Sequence, residues 1–226
     1  MNGSLDNWIF YSTQTLSWTQ RVQIALDVAK GLHYLHSDTN PSHVQKDIKS
    51  SNILLDSNLR AKIANFGLAA EGYEGEFAST RHIVGTTGYM APEYLENGLV
   101  SPKLDVYSFG VLLLEMISGI EAVSESDKDL LSSKTLENIL TKENPGENLK
   151  DLIDPSLQEN YPLNLALSVA KLTESCLQRN PDGRPTMDDI VHSLAGFLDV
   201  SLSWEISTGT YSSASTSSVT RYLEER

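Results

Sequence analysis

Apolar positions fall at helical spacing in several stretches of the chain and at strand spacing in one. From Ser17 to about Ser37, Trp18, Val22, Ala25, Leu26, Ala29, Leu32 and Leu35 recur three and four residues apart, the stripe of an amphipathic helix. Ser17 and Gln20 form a capping-box pair at its start, and His33 and His36 fall in its last turns. Leu104 to Ile117 is apolar almost all round, broken only by Asp105, Ser108 and Glu115, which predicts a buried helix. Ser101-Pro102 starts it and Gly119 stops it. Pro162–Leu177 and the stretch from Thr186 through Leu198 predict two more helices, the second capped by Thr186 and Asp189. A short helix is expected around Leu130–Leu140, and Asn144-Pro145-Gly146 reads as a turn.

The exception lies between Val44 and Gly67. Ile53-Leu54-Leu55 is an apolar triplet, Asp56-Ser57-Asn58 a turn, and Ala61 to Ala64 alternates as a strand does. A hairpin here brings its flanks together, so Asp47, Lys49 and Asn52 on one side are expected to converge with Asn65 on the other. In residues 201–220, twelve of twenty are Ser or Thr. The reading is therefore one mainly helical domain over 1–200 and a disordered tail over 201–226.

Of the 226 residues, 40% are hydrophobic, enough for one core of ordinary size. A formal charge of −13 disfavours nucleic acid and anionic membrane surfaces as partners. No stretch reads as a signal peptide or a membrane span. The single Cys176 allows no internal disulfide, fits a reducing compartment, and reads as a small buried residue.

Gln45-Lys46-Asp47-Ile48-Lys49-Ser50-Ser51-Asn52, then the hairpin, then Asn65-Phe66-Gly67 follows the kinase order H-R-D-x-K-x-x-N, hairpin, D-F-G. His43 is out of register for the first histidine, since Asp47 lies two residues after Gln45. Downstream, Gly85-Thr86-Thr87-Gly88-Tyr89-Met90-Ala91-Pro92-Glu93 is close to the A-P-E ending of an activation segment. In this order the motifs resemble plant receptor-like kinases, most closely LysM-domain receptor-like kinases with degenerate kinase motifs. The resemblance runs from residue 3 to about residue 200. It implies the mainly α large lobe of a protein kinase, with a short β-hairpin at the catalytic loop. Residues 3–10 would then be the short helix after the hinge, and the chain would open in the middle of a kinase domain, without the small lobe. No G-x-G-x-x-G occurs in the 226 residues.

By the same resemblance, Asp47 would serve the substrate hydroxyl and Lys49 the transferred phosphoryl group. Asn52 would offer oxygen to Mg²⁺, and Leu54 would floor the adenine. The same loop also reads as one kept for its fold, because Asp47 and Asn52 make hydrogen bonds that hold it. Ser79, Thr80, Thr86 and Thr87 would be activation-segment hydroxyls, in a loop over 65–93. Glu93, Asp105 and Arg184 would be structural: Glu93 and Arg184 as a buried ion pair, Asp105 as the brace beneath the catalytic loop. Asn65 stands where the family has its metal-binding aspartate, and an amide oxygen is a poor ligand for a hard cation. Lys46 for arginine keeps the charge but loses the bidentate fork. The family uses ATP and Mg²⁺; this chain is expected to bind neither. The expected role is a kinase-like signalling module in the cytoplasm, or at the cytosolic face of the plasma membrane within a longer receptor, acting by binding a protein partner such as an active receptor kinase. Alternatives are a serine/threonine kinase whose small lobe lies outside these residues, and a truncated fragment with no function of its own.

Overall fold

A computed structural model describes residues 2–71, 78–80, 82–122 and 133–209. Seven α-helices are described: α1 Trp18–His33, α2 Pro92–Asn97, α3 Pro102–Ser118, α4 Ser133–Thr141, α5 Pro145–Lys150, α6 Leu163–Cys176 and α7 Met187–Thr208. Six short strands accompany them: β1 His43–Val44, β2 Ile53–Leu55, β3 Ala61–Ile63, β4 Ala70–Glu71, β5 Ala78–Ser79 and β6 Leu99–Val100. They pair antiparallel as β1–β4, β2–β3 and β5–β6. The fold is mainly helical, and β2–β3 is the hairpin read from the sequence, with Leu54 opposite Lys62.

The core grows from the apolar stripes. α1 lays Ile24, Ala25, Val28 and Leu32 against Phe109, Leu112 and Leu113 of α3 and Ile190 and Leu194 of α7. A second cluster on the other side of α3 joins Val111, Leu114 and Ile117 to Leu165, Ala166 and Val169 of α6. α3 is therefore buried on all sides, as its sequence demands. Its end is sharp because Gly119 takes a left-handed conformation with φ 69° and abuts the Asp154 carboxylate, where a Cβ would not fit. The Ser17–Gln20 and Thr186–Asp189 capping boxes are both formed.

Four expectations need correction. The first helix stops its α-helical pattern at His33 and finishes as a π turn over Tyr34–Asp38. Pro145 opens α5 rather than sitting in a simple turn, with left-handed Asn144 supplying the change of direction. The segment after Asn65 is not all loop: β4 and β5 clip it to β1 and β6, and residues 72–77 and 81 lie outside the described residues. α7 continues to Thr208, eight residues beyond the expected boundary at 200. Its inner stripe continues through Ser201, Leu202 and Glu205, all buried, and Ser201 hydrogen-bonds Thr19 at 2.6 Å. Composition dominated by Ser hid this continuation. Residues 210–226 of the expected tail lie outside the described residues.

If 201–208 is part of the folded body, Leu202→Ala should destabilise the protein by about 2–4 kcal/mol, the range for a buried large-to-small change. Urea denaturation checks this. A change under about 0.5 kcal/mol would mark the end of α7 as a surface appendage.

Candidate functional site

The loop from Gln45 to Asn52 is held from beneath by Asp105 in the first turn of α3. This carboxylate is fully buried. Oδ2 accepts from the Gln45 N–H at 2.8 Å and lies 2.8 Å from His36 Nε2, while Oδ1 accepts from the Lys46 N–H at 2.8 Å. A buried carboxylate is costly unless donors surround it, and here three do. The bonds also fix the register: Gln45, not His43, stands over the brace. Lys46 is held at φ 66°, unusual for a residue with a side chain, so the brace holds the backbone in a turn it would not choose alone.

From there the polar residues converge. Gln45 Oε1 accepts from the Asp47 N–H at 2.6 Å, and its Nε2 donates to the Asn65 carbonyl at 2.9 Å. One amide thus ties both flanks of the hairpin. Asn52 Nδ2 donates to the Asp47 carbonyl and to Asp47 Oδ2, both at 2.8 Å. Asp47 Oδ1 accepts from Thr86 Oγ1 at 2.8 Å, which in turn accepts from Lys49 Nζ at 2.8 Å. Lys49 Nζ is 3.7 Å from Asp47 Oδ2. Asn65, left-handed at φ 60°, turns Nδ2 to 3.4 Å from both Asp47 Oδ2 and Asn52 Oδ1. Asn tolerates that conformation better than most residues.

Leu54 sits half-buried in β2, bridged to Ser4, which places the opening segment beside the hairpin. Phe66, next to Asn65, is 49% exposed. Of the activation-segment residues, Thr86 alone is placed against Asp47. Thr87 is exposed; Ser79 lies in β5, and Thr80 donates its N–H to Gly98 O at 2.9 Å. Glu93 and Arg184 meet through two N–H···O bonds of 2.7 Å, both groups buried, with Arg184 also over the Tyr107 ring at 5.0 Å. This ties the end of the activation segment to the loop before α7.

Three further residues escaped sequence reasoning. His36 completes the Asp105 brace. Tyr89 donates to Glu115 Oε1 at 2.6 Å and lies 3.2 Å from Ser50 Oγ, linking the activation segment, α3 and the catalytic loop. Glu115 is fully buried, and its Oε2 has no hydrogen-bond partner among the described residues. Burial pushes its pKa up to about 7, against the Ala122 N–H and Tyr89 bonds that favour the charged form. A glutamate between Leu114 and Met116 in the apolar run of α3 was the available signal. Burial likewise pushes the Cys176 thiol up to about 12, so it is inert packing.

Among Asp47, Asn52 and Asn65, Asp47 is the one carboxylate; both its oxygens accept hydrogen bonds, and Asn65 Nδ2 lies 3.4 Å from Asp47 Oδ2 and from Asn52 Oδ1.

The family model described as protein kinase domain matches residues 1–194. Among curated proteins, Protein LYK5 of Arabidopsis thaliana is 45% identical over 214 residues, covering 90% of this chain and 32% of that protein. LysM domain receptor-like kinase 10 of Oryza sativa subsp. japonica is 50% identical over 186 residues, 79% of this chain and 30% of that protein. Chitin elicitor receptor kinase 1 of Physcomitrium patens is 44% identical over 234 residues, with 96% and 36% covered. The chain spans about a third of the length of these relatives.

Two outcomes follow from this geometry. Replacing either Glu93 or Arg184 with Ala should cost about 3–5 kcal/mol, because the remaining charge is left buried. The double replacement should cost less than the two added together, measured as a double-mutant cycle. Glu115 gives a pH signature. The folded protein keeps its proton up to about pH 7, whereas an unfolded glutamate releases it near 4.5. The stabilisation is therefore complete below about 4.5, declines as pH rises, and is lost above about 7, a change of about 3 kcal/mol. Glu115→Gln should remove that slope from unfolding free energies measured across this range. An unchanged slope would show that Glu115 is ionised in the folded state.

Proposed function

The chain belongs to the protein kinase domain family, and from that premise we propose that it is a signalling module of the LysM receptor-like kinase type that acts by binding a protein partner rather than by phosphoryl transfer. The observation that carries this reading is Asn65. Its amide nitrogen lies 3.4 Å from Asp47 and from Asn52, where the family places an anionic oxygen for a metal ion. Phosphoryl transfer from ATP depends on positioning and on neutralising charge through that metal. The 226 residues also contain no glycine-rich G-x-G-x-x-G sequence to cover the phosphates. The catalytic-loop backbone is nonetheless braced as a kinase requires, which favours a module that keeps its shape as a surface for recognition. Its partner, on this reading, is an active receptor kinase, met at the cytosolic face of the plasma membrane. Among the described residues no helix is long and apolar enough to cross a membrane.

One observation favours a second reading, a serine/threonine kinase completed by a small lobe elsewhere in a longer protein. Asp47, Lys49 and Thr86 are in hydrogen-bond contact, an arrangement that would suit a substrate hydroxyl. Thermal unfolding with ATP and Mg²⁺ separates the two. A ligand at one hundred times its Kd stabilises by about 2.7 kcal/mol, a readily visible shift. The 226-residue polypeptide should show none, and neither should its Asn65→Asp variant, since the substitution restores the metal ligand but not the phosphate-covering loop. In a longer polypeptide carrying a kinase small lobe, Asn65→Asp should produce a shift that the Asn65 form lacks. A clear shift in the unmodified 226 residues would overturn the binding-only reading.

A further inference from the structure

The turn that leaves α3, residues 118–122, is held at its far end by one buried acid. Glu115 Oε1 accepts from the Ala122 N–H at 2.9 Å and from the Tyr89 hydroxyl at 2.6 Å. Nearer the helix, the Ile120 N–H donates to Ser118 Oγ at 3.1 Å. The same turn carries Glu121, whose carboxylate accepts from the Tyr11 hydroxyl at 3.3 Å. A single carboxyl thus joins α3, the end of the activation segment and the chain that follows the helix.

Its surroundings decide what that carboxyl can do with a proton. From the activation segment it meets Tyr89, whose phenol burial and Glu115 itself keep protonated. Ser50 of the Gln45–Asn52 loop lies 3.2 Å from that phenol and also supports the Glu115 charge. From the turn it faces Glu121, a like charge. Arg21 of α1 reaches the carbonyl of neighbouring Met116 at 2.7 Å but is ion-paired with Asp154 at 2.6 Å. No cation pairs with Glu115 among the described residues, and Oε2 has no hydrogen-bond partner there. Once ionised, Glu115 is a buried anion with an unused acceptor and a second carboxylate beside it. Tyr89 is not free to yield. Its carbonyl accepts from Ser108 Oγ at 2.8 Å, and its N–H donates to the Thr86 carbonyl at 3.2 Å. The turn is the neighbour that can give way.

We propose that Glu115 is a proton-operated latch on this turn. With its proton it is neutral, tolerates burial, and keeps Ala122 and Tyr89 on one oxygen. Without it the carboxylate draws water, and repulsion between Glu115 and Glu121 lifts the turn away. Burial raises the closed-state pKa to about 7, and in the open, hydrated state it returns toward 4.5. The latch is therefore tight below about 4.5, loosens about tenfold for each pH unit above that, and levels off near 7. The packing behind Tyr89, and so the support of the activation segment, then follows acidity just below neutral. The inference is independent of whether the chain binds a partner or transfers phosphate.

Hydrogen exchange followed by NMR on the full 226-residue chain tests this at the Ala122 amide. The Asp154 amide, which donates to the Ile117 carbonyl at 2.8 Å, serves as the core reference. After correction for intrinsic exchange, Ala122 protection should fall about tenfold per pH unit between about 5 and about 6.5, and flatten above about 7. Its urea dependence should be smaller than that of Asp154, because a local opening exposes little surface. Glu115→Gln should abolish the fall. Glu121→Gln, at a half-buried position, should keep the fall but bring its plateau to lower pH, since the opposing charge is gone. Ala122 protection that ignores pH, or that shares the urea dependence of Asp154, overturns the latch. So does an unmoved plateau in Glu121→Gln, a result that decides the matter even if Glu115→Gln fails to fold.

Discussion

The candidate site depends on one buried charge. Asp105 is fully buried in the middle of the molecule and accepts from the backbone at Gln45 and Lys46. Without it, nothing in the loop's own sequence would keep Lys46 at a positive φ, and the side chains that follow would lose their common direction. The helix carrying Asp105 is itself fixed by apolar contact on every side, so the precision of the loop derives from the packing of α3. His36, from the turn after α1, shares the same carboxylate and makes the brace a junction of three elements.

Geometry and chemistry separate cleanly in the loop above it. Gln45 replaces a histidine, yet its amide has both a donor and an acceptor, and uses them to join Asp47 to Asn65. The Gln45 amide therefore holds the two flanks of the loop together. Asn65, in a left-handed conformation, presents its amide nitrogen to Asp47 and Asn52.

The helices and the hairpin were legible because their signals are local: the stripe from Trp18 to Leu35, the capping boxes, the apolar run from Leu104, the Asp56-Ser57-Asn58 turn. The convergence of Asp47, Asn52 and Asn65 was legible because a hairpin must bring its ends together. What could not be read were contacts that no spacing encodes. The Tyr89–Glu115 bond joins residues of two elements whose approach depends on the whole core, and so does the His36–Asp105 bond. The end of α7 was missed for a different reason. Ser201 and Glu205 are polar, and only the environment supplied by α1 makes them inward-facing.

That last contact bears on how the chain reaches its fold. Thr19 and Ser201 are 182 residues apart in sequence, yet α1 and α7 lie side by side over much of their length. The inner face of α1 is made before α7 and lacks the part of its cover that α7 supplies until α7 leaves the ribosome. Closing so long a loop carries an entropic cost that local helix formation does not reduce, so the first and last helices join late. Until then the nascent chain carries an apolar stripe from Ile24 to Leu32 that α3 alone covers only in part, the kind of surface that chaperones bind and that crowded chains share. Handling by the cell's folding machinery is thus written into the order of the helices, as much as stability is written into their contacts.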